Sequence, residues 1–455
     1  MDLTRGAPDR PEPSAETQDK TPKQSSTPGM PPGATPGTVN RGPTDHSRTT
    51  RAPAPGATDT DASAQVDPAH FAALARALKA LDRRGRLRSL APRTGLDFAS
   101  NDYLGLASSP AMREAITHAI LQDGVDIGSG GSRLLRGNHP QHEALEAEAA
   151  AFFGADSALY FSGGFNANAA LIATLPQRGD LVVYDERVHA SAHDGMMRTK
   201  ADTAKATHNA PDHVAEIINA WRKSGGKGTP WIAVESLYSM DGDTAPLDAL
   251  ATCADETGAV MMIDEAHATG IFGPDGRGLA AHLEGRDNII TLHTCGKALG
   301  VMGGIICGPR IVKDFLINRA AGFIYATAPP PIVCAAVCKA FDLCKSEPQR
   351  RERLQARIAA ARLQFEKHLG FAPSATQIQP VILGRETDAV TIASDLQEHG
   401  FDVRAIRPPT VAEGTARLRI AITNNVTIDD IEALATTLKS TLAKHRIEPQ
   451  PEHAA

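Results

Sequence analysis

Three short segments carry residues whose types and spacing suit chemistry. Met262-Ile263-Asp264-Glu265-Ala266-His267 sets an apolar run before a carboxylate and, three residues later, an imidazole. Both side chains are predicted to emerge at the carboxyl end of a buried strand, the edge where open α/β sheets carry their sites. Thr291-Leu292-His293-Thr294-Cys295-Gly296-Lys297-Ala298-Leu299-Gly300 places one lysine after a second strand-like run, among small residues. Tyr160-Phe161-Ser162-Gly163-Gly164-Phe165-Asn166-Ala167-Asn168 ends a β-run at two glycines and continues as a helical pattern. Such a turn aims free backbone N–H groups at an anion, the glycines allow close approach, and the helix dipole adds a favourable field.

Taken singly, each segment is ordinary. A strand–Gly-Gly–helix turn is more often a connection, most lysines are solvated surface groups, and Asp264 could merely cap a helix. Together they are the parts that pyridoxal 5'-phosphate (PLP) requires: a lysine amine, a carboxylate partner for the ring nitrogen and an anion cradle. The tetrapeptide Asp264-Glu265-Ala266-His267 also matches the box of helicases. That reading needs a phosphate loop of the form G-x-x-x-x-G-K-[ST]. Gly296-Lys297 is followed by Ala298 and Gly226-Lys227 by Gly228, so it fails.

The elements that must position these residues are legible in the middle of the chain, where short β-rich runs alternate with longer helical patterns. That alternation marks βαβ units around a mainly parallel sheet. Candidate strands are Ala158–Phe161, Leu181–Tyr184, Trp231–Val234, Val260–Ile263, Ile289–Leu292 and Gly304–Cys307. An opening helix is predicted to start at Asp67-Pro68, with Phe71, Leu74, Leu78 and Leu81 at helical spacing. After Pro329 comes a long helix, Ile332–Lys345, and then mixed helix and strand pieces. The expected organisation is a disordered tail over 1–66, an opening helix and the first part of a small domain over 67–110, and a large domain over 111–330. A small C-terminal domain over 331–445 and a flexible end over 446–455 complete it.

A chain of 455 residues with 42% apolar residues can supply cores for both domains. Residues 1–66 are Pro, Thr, Ala, Gly and Ser with scattered charges, too poor in apolar side chains to offset their ordering entropy. The formal charge of −6 gives no electrostatic reason to expect nucleic acid or an anionic membrane as partner. No run approaches the roughly 18 apolar residues of a spanning helix. Six cysteines without a C-x-x-C pair suggest reduced thiols and a cytoplasmic protein. Cys334 and Cys338 share a helix face, a spacing that favours core packing over metal ligation, and no metal site is expected.

The three segments together resemble the α-oxoamine synthase family of fold-type I PLP enzymes, over about Phe71 to His445. Further similar segments are Ser100-Asn101-Asp102-Tyr103-Leu104-Gly105-Leu106, Gly128-Ser129-Gly130-Gly131-Ser132-Arg133-Leu134-Leu135, Val188-His189-Ala190-Ser191 and Ser239-Met240-Asp241-Gly242-Asp243. Ile406-Arg407-Pro408-Pro409-Thr410-Val411-Ala412-Glu413-Gly414-Thr415-Ala416-Arg417-Leu418-Arg419 is most similar to the branch that condenses L-alanine with a pimeloyl thioester in biotin synthesis. The resemblance implies the aspartate aminotransferase-like α/β fold, a large domain with a mainly parallel sheet beside a smaller α+β domain, and a homodimer.

It also implies roles. Lys297 would hold PLP and then serve as base for the α-proton, with Asp264 opposite the ring nitrogen. His189 would stack on the ring and lie near the substrate, and His267 would meet the phenolic oxygen. Gly164, Phe165, Ser239 and Thr294 would complete the cofactor contacts. Arg419 would receive the substrate carboxylate, with Asn101 also at the substrate. Arg88 and Thr410 would contact the acyl group, the arginine register being open among Arg83, Arg84, Arg86 and Arg88. Arg407 and Arg417 read as structural or surface charges. Two positions depart from the family pattern: Ala326 stands where Ser is usual before Thr327, and Ala210 where an acid usually follows His208-Asn209. Sister synthases that use glycine or another acyl thioester share the core. A PLP-binding regulator would be expected to lack part of the lysine, aspartate and arginine set or to carry a DNA-binding module.

Overall fold

The computed structural model describes residues 69–90 and 92–450. The stretch 1–66 and the Asp67-Pro68 helix start lie outside the described residues. The chain opens with α1 (Ala72–Arg83), β1 (Leu96–Asp97), α2 (Pro110–Leu121) and α3 (Pro140–Phe153). Strands and helices then alternate: β2 (Ser157–Phe161), α4 (Gly164–Thr174), β3 (Leu181–Asp185), α5 (Ala190–Met196), β4 (Asp202–Ala206) and α6 (Pro211–Lys223). β5 (Pro230–Glu235), α7 (Leu247–Thr257), β6 (Val260–Asp264), β7 (Ile289–Thr294) and β8 (Gly304–Gly308) follow. Four helices come next: α8 (Arg310–Arg319), α9 (Ala321–Ile324), α10 (Pro331–Ser346) and α11 (Gln349–Leu369). The last elements are β9 (Ile378–Gly384), α12 (Glu386–Glu398), β10 (Phe401–Asp402), β11 (Arg404–Ile406), β12 (Ala416–Ala421) and α13 (Ile428–His445).

β2 to β8 form one seven-stranded sheet in the order β2-β8-β7-β6-β5-β3-β4. β8 runs antiparallel to both of its neighbours, and the other pairs are parallel. The strands of this sheet other than β4 read as continuous apolar runs because both faces are covered. Val182, Ala233 and Met262 pack under α4, α5 and α8, while Val183, Ile232 and Met261 pack under α6 and α7. All six strands predicted from the sequence form. β4 was not foreseen, because its Asp202-Thr203-Ala204-Lys205-Ala206 buries only the last residue. A sheet-edge strand needs no apolar pattern, and charge there discourages edge-to-edge pairing.

α10 contains the predicted Ile332–Lys345 helix, and Cys334 lies in the core with the half-buried Cys338 packed against it. The opening helix forms as α1, yet none of its residues is buried. A three-stranded antiparallel sheet, β11-β12-β9, stands apart from the large sheet. The segments 96–103 and 401–424 meet beside it. β1 pairs in parallel with β10, Ala421 N donates to Phe98 O at 2.8 Å, and Asn424 N donates to Tyr103 O at 2.9 Å. Beyond α13, Gln450 N still donates to Ile382 O at 2.9 Å, so the chain continues to pair past residue 445.

Candidate active site

The carboxyl ends of β6 and β7 deliver the first cluster. Asp264 is the last residue of β6, His267 follows three residues on, and Lys297 lies three residues past β7. Lys297 Nζ is 2.7 Å from His267 Nε2. Burial lowers the Lys297 amine to about 8. Burial, then the charges of Lys297 and Arg419, hold His267 well below the ordinary imidazole value, so it is neutral. Gln377 Nε2 donates to the His267 carbonyl oxygen at 2.8 Å and fixes the turn that carries it.

A second chain of contacts runs from Asp264 to His189. Ala266 N donates to Asp264 Oδ1 at 2.9 Å, and Asn168 Nδ2 donates to Asp264 Oδ2 at 3.1 Å. The same Asn168 amide reaches Ser191 Oγ at 2.9 Å, which lies 2.8 Å from His189 Nδ1. Ser191 N also donates to His189 Nδ1 at 3.2 Å, so that nitrogen is an acceptor and the imidazole proton sits on Nε2. His189 caps α5, and its ring meets Phe165 edge-on at 6.2 Å. Burial lowers its pKa, with Asp264 opposing and Lys297 reinforcing.

Gly163 and Gly164 begin α4, and no side chain caps that helix. A Cβ on Gly163 would meet nothing within 4 Å, so open space lies beside the turn. A Cβ on Gly164 would stand 2.9 Å from Thr294 Oγ1, which explains the glycine there and places Thr294 against the turn. On β5, Glu235 pairs in register with Asp264 and lines the same small cavity as His189, Asn168 and Asp264. Its Oε1 is buried without a hydrogen-bond partner. Burial, then the charge of Asp264, pushes it well above the usual carboxylate range.

Arg419 comes from β12 and is buried. Its Nε donates to Ser239 O at 2.7 Å, and its Nη2 to Asn101 Oδ1 at 3.0 Å and to Tyr103 Oη at 3.2 Å. Tyr103 Oη is 2.8 Å from His267 Nδ1. Arg419 and Asn101 are thereby joined to the Lys297 cluster through one tyrosine. Arg417 is structural, as expected, but no surface charge: it is buried and paired with Asp241. Arg88 and Thr410 are brought together elsewhere, in an open cavity lined also by Arg86 and Arg407. Arg86 is held by Glu386 and Glu413, Arg407 donates to Gly85 O, and Arg88 is exposed. Ala326 and Thr327 line a different pocket with Arg133 and Ser162.

These groups suit PLP chemically. The donor-lined turn at Gly163-Gly164 is open, a buried lysine has a lowered pKa, and a carboxylate is locked in place by an amide and a backbone N–H. Among the described residues no cluster of His, Cys, Asp and Glu could hold a metal ion, and no helix is long and apolar enough to cross a membrane. The family of class I and II aminotransferases matches residues 93–438. An 8-amino-7-oxononanoate synthase of Chromobacterium violaceum is 40% identical over 378 residues, which is 79% of this chain and 96% of that protein. The chain belongs to the class I and II aminotransferases, on their α-oxoamine synthase branch. Like the curated α-oxoamine synthases, it is a PLP-dependent acyltransferase of the fold-type I class.

Other members of that branch agree. An 8-amino-7-oxononanoate synthase of Acidithiobacillus ferrooxidans is 42% identical over 351 residues, 76% of this chain and 88% of that protein. A serine palmitoyltransferase structure from S. paucimobilis, with PLP and myriocin bound, matches with a TM-score of 0.74 at 26% identity, covering 82% of this chain and 98% of that one. The 8-amino-7-oxononanoate synthase of Francisella tularensis matches with a TM-score of 0.65 at 27% identity, covering 78% and 99%. Backbone likeness thus spans α-oxoamine synthases of different substrates, whereas sequence identity favours the oxononanoate synthases.

Four residues around the site were not singled out from the sequence. Asn168 and Ser191 sit inside quoted segments but were given no role there. Glu235 carries the same signal as Asp264, an acid ending a buried strand. Tyr103 lies in the quoted segment Ser100–Leu106 but was given no role, since beside Leu104 and Leu106 a tyrosine reads as core.

Proposed function

We propose that this α-oxoamine synthase condenses L-alanine with a pimeloyl thioester and releases carbon dioxide, the step that 8-amino-7-oxononanoate synthases contribute to biotin synthesis. Bound PLP supplies an electron sink for the α-carbon of the amino acid. Lys297 holds PLP and then takes the α-proton; an amine lowered to about 8 has a usable free-base fraction near neutral pH. Asp264, held in place by two donors, serves the ring nitrogen. His189 supplies a flat face for the ring and His267 a group for the phenolic oxygen. The Gly164 and Phe165 N–H groups, with Thr294 and Ser239, take the remaining cofactor contacts.

Arg419 and Asn101 receive the alanine carboxylate, a task for which a guanidinium fork is suited. Arg88 and Thr410 meet the acyl group, and Arg407 adds a second cationic side chain to that cavity, where Arg86 is paired with Glu386 and Glu413, in keeping with an acyl chain that ends in a free carboxylate. We take residues 111–330 as the PLP-binding domain and residues 331–445, joined by the segment 67–110, as the small one, in a homodimer. Six free cysteines, five of them buried, accord with a reducing cytoplasm. The observation that carries the reading is the joining of Lys297, His267, Asn101 and Arg419 in one hydrogen-bonded chain.

The test offers L-alanine, glycine and L-serine, each with pimeloyl-CoA, pimeloyl-carrier protein, acetyl-CoA and palmitoyl-CoA, and measures thioester loss and carbon dioxide. Alanine with a pimeloyl thioester is expected to turn over fastest. Preference for serine with palmitoyl-CoA, the pair suggested by the serine palmitoyltransferase likeness, would keep the site and overturn the substrates.

A further inference from the structure

The hydrogen bonds that join Tyr103 to Asn101, Arg419 and His267 fit one assignment of protons. The Arg419 guanidinium has only donors, so the Asn101 amide atom 3.0 Å from its Nη2 is the carbonyl oxygen. That oxygen is 2.8 Å from Tyr103 Oη. Two oxygens so close need a proton between them, and only the phenol has one to give. With the phenol proton directed at Asn101, the 2.8 Å contact between Tyr103 Oη and His267 Nδ1 needs a proton carried by Nδ1. The second lone pair of the phenol oxygen accepts from Arg419 Nη2 at 3.2 Å. A neutral imidazole protonated at Nδ1 has a bare Nε2, and that atom is 2.7 Å from Lys297 Nζ.

We propose that Tyr103 is a positioning residue: by accepting the Nδ1 proton of His267 it keeps Nε2 an acceptor turned on Lys297, and so holds the lysine amine where it captures PLP. Arg419 and Asn101 act on Lys297 through the same phenol. Tyr103 is fully buried, so its oxygen has no water to fall back on, and loss of the hydroxyl would leave Nδ1 without an acceptor. The proton would then favour the other ring nitrogen, setting a donor against the lysine.

This inference rests on Lys297 being the PLP lysine. NMR of isotope-labelled histidine ring nitrogens in the full chain freed of PLP, assigned by difference from His267→Gln, reads the tautomer. The wild type is expected to show Nδ1 protonated and Nε2 bare. Tyr103→Phe is expected to move the proton to Nε2 and to slow PLP uptake about fivefold, the order of factor that one net hydrogen bond carries, with final occupancy unchanged. A wild-type His267 protonated at Nε2, or a Tyr103→Phe protein with unaltered tautomer and uptake rate, overturns the role of Tyr103. Should the variant fail to fold, the wild-type spectrum still decides. If PLP never attaches to the wild type, the lysine assignment itself falls, whereas normal attachment with the wrong tautomer sinks only the inference.

Discussion

At the scale of single residues, Lys297 couples function to stability. Its folded value of about 8 lies below its ordinary 10.5, because burial disfavours the ammonium. Between those values the unfolded chain binds more protons, so the PLP-free protein gains stability as pH rises through them, and the penalty is complete at lower pH. Denaturant midpoints of the wild type and Lys297→Met are expected to differ most below pH 8 and to converge toward pH 10.5, the two ends set by that shift. A constant difference over that range would contradict the lowered amine. The residues that do the chemistry were legible where side-chain type and strand end coincide, as at Asp264, His267 and Lys297. Tyr103 and Asn168 were not, because their roles are contacts with partners far along the chain. Tyr103 and His267 stand 164 positions apart, and nothing in that stretch announces their hydrogen bond.

At the scale of elements, apolar runs bounded by glycine and polar turns made the buried strands readable, while β4 escaped because an edge strand is free of that constraint. One departure from the family has a structural consequence. Ala210 is the N-cap of α6, no side chain accepts from the first turn, and a proline follows. Restoring an acid, Ala210→Asp, is expected to raise stability by about 1 kcal/mol, the usual worth of an N-cap, read as a higher melting temperature with unchanged PLP binding. An unchanged or lower melting temperature would show that the cap is already supplied by solvent or that the nearby carboxylates Asp185 and Asp243 repel it.

At the scale of the whole molecule, the site is assembled from distant stretches: Asn101 and Tyr103 early in the described residues, the ends of β3, β5, β6 and β7, and Arg419 late in them. The sequence divided readily into a large and a small region, but it could not tell which residues bind the two sheets together. Arg417 of β12 paired with Asp241 beyond β5 does so, with Thr376 Oγ1 donating to Gly242 O at 2.8 Å beside it. Arg417→Ala strands a buried carboxylate, a loss of roughly 3–5 kcal/mol in such pairs. Arg187, 3.3 Å from Asp241, remains as a partner, so about 3 kcal/mol is expected in denaturant titration, partly regained by adding Asp241→Asn. No loss would place the join elsewhere. The most direct test of the account is an absorbance scan of the purified protein with PLP, before and after borohydride reduction, with Lys297→Ala alongside. The account expects a lysine-bound PLP band that reduction makes permanent at Lys297 and that the variant lacks; a wild type that never develops the band, or a variant that keeps it, would contradict the central claim.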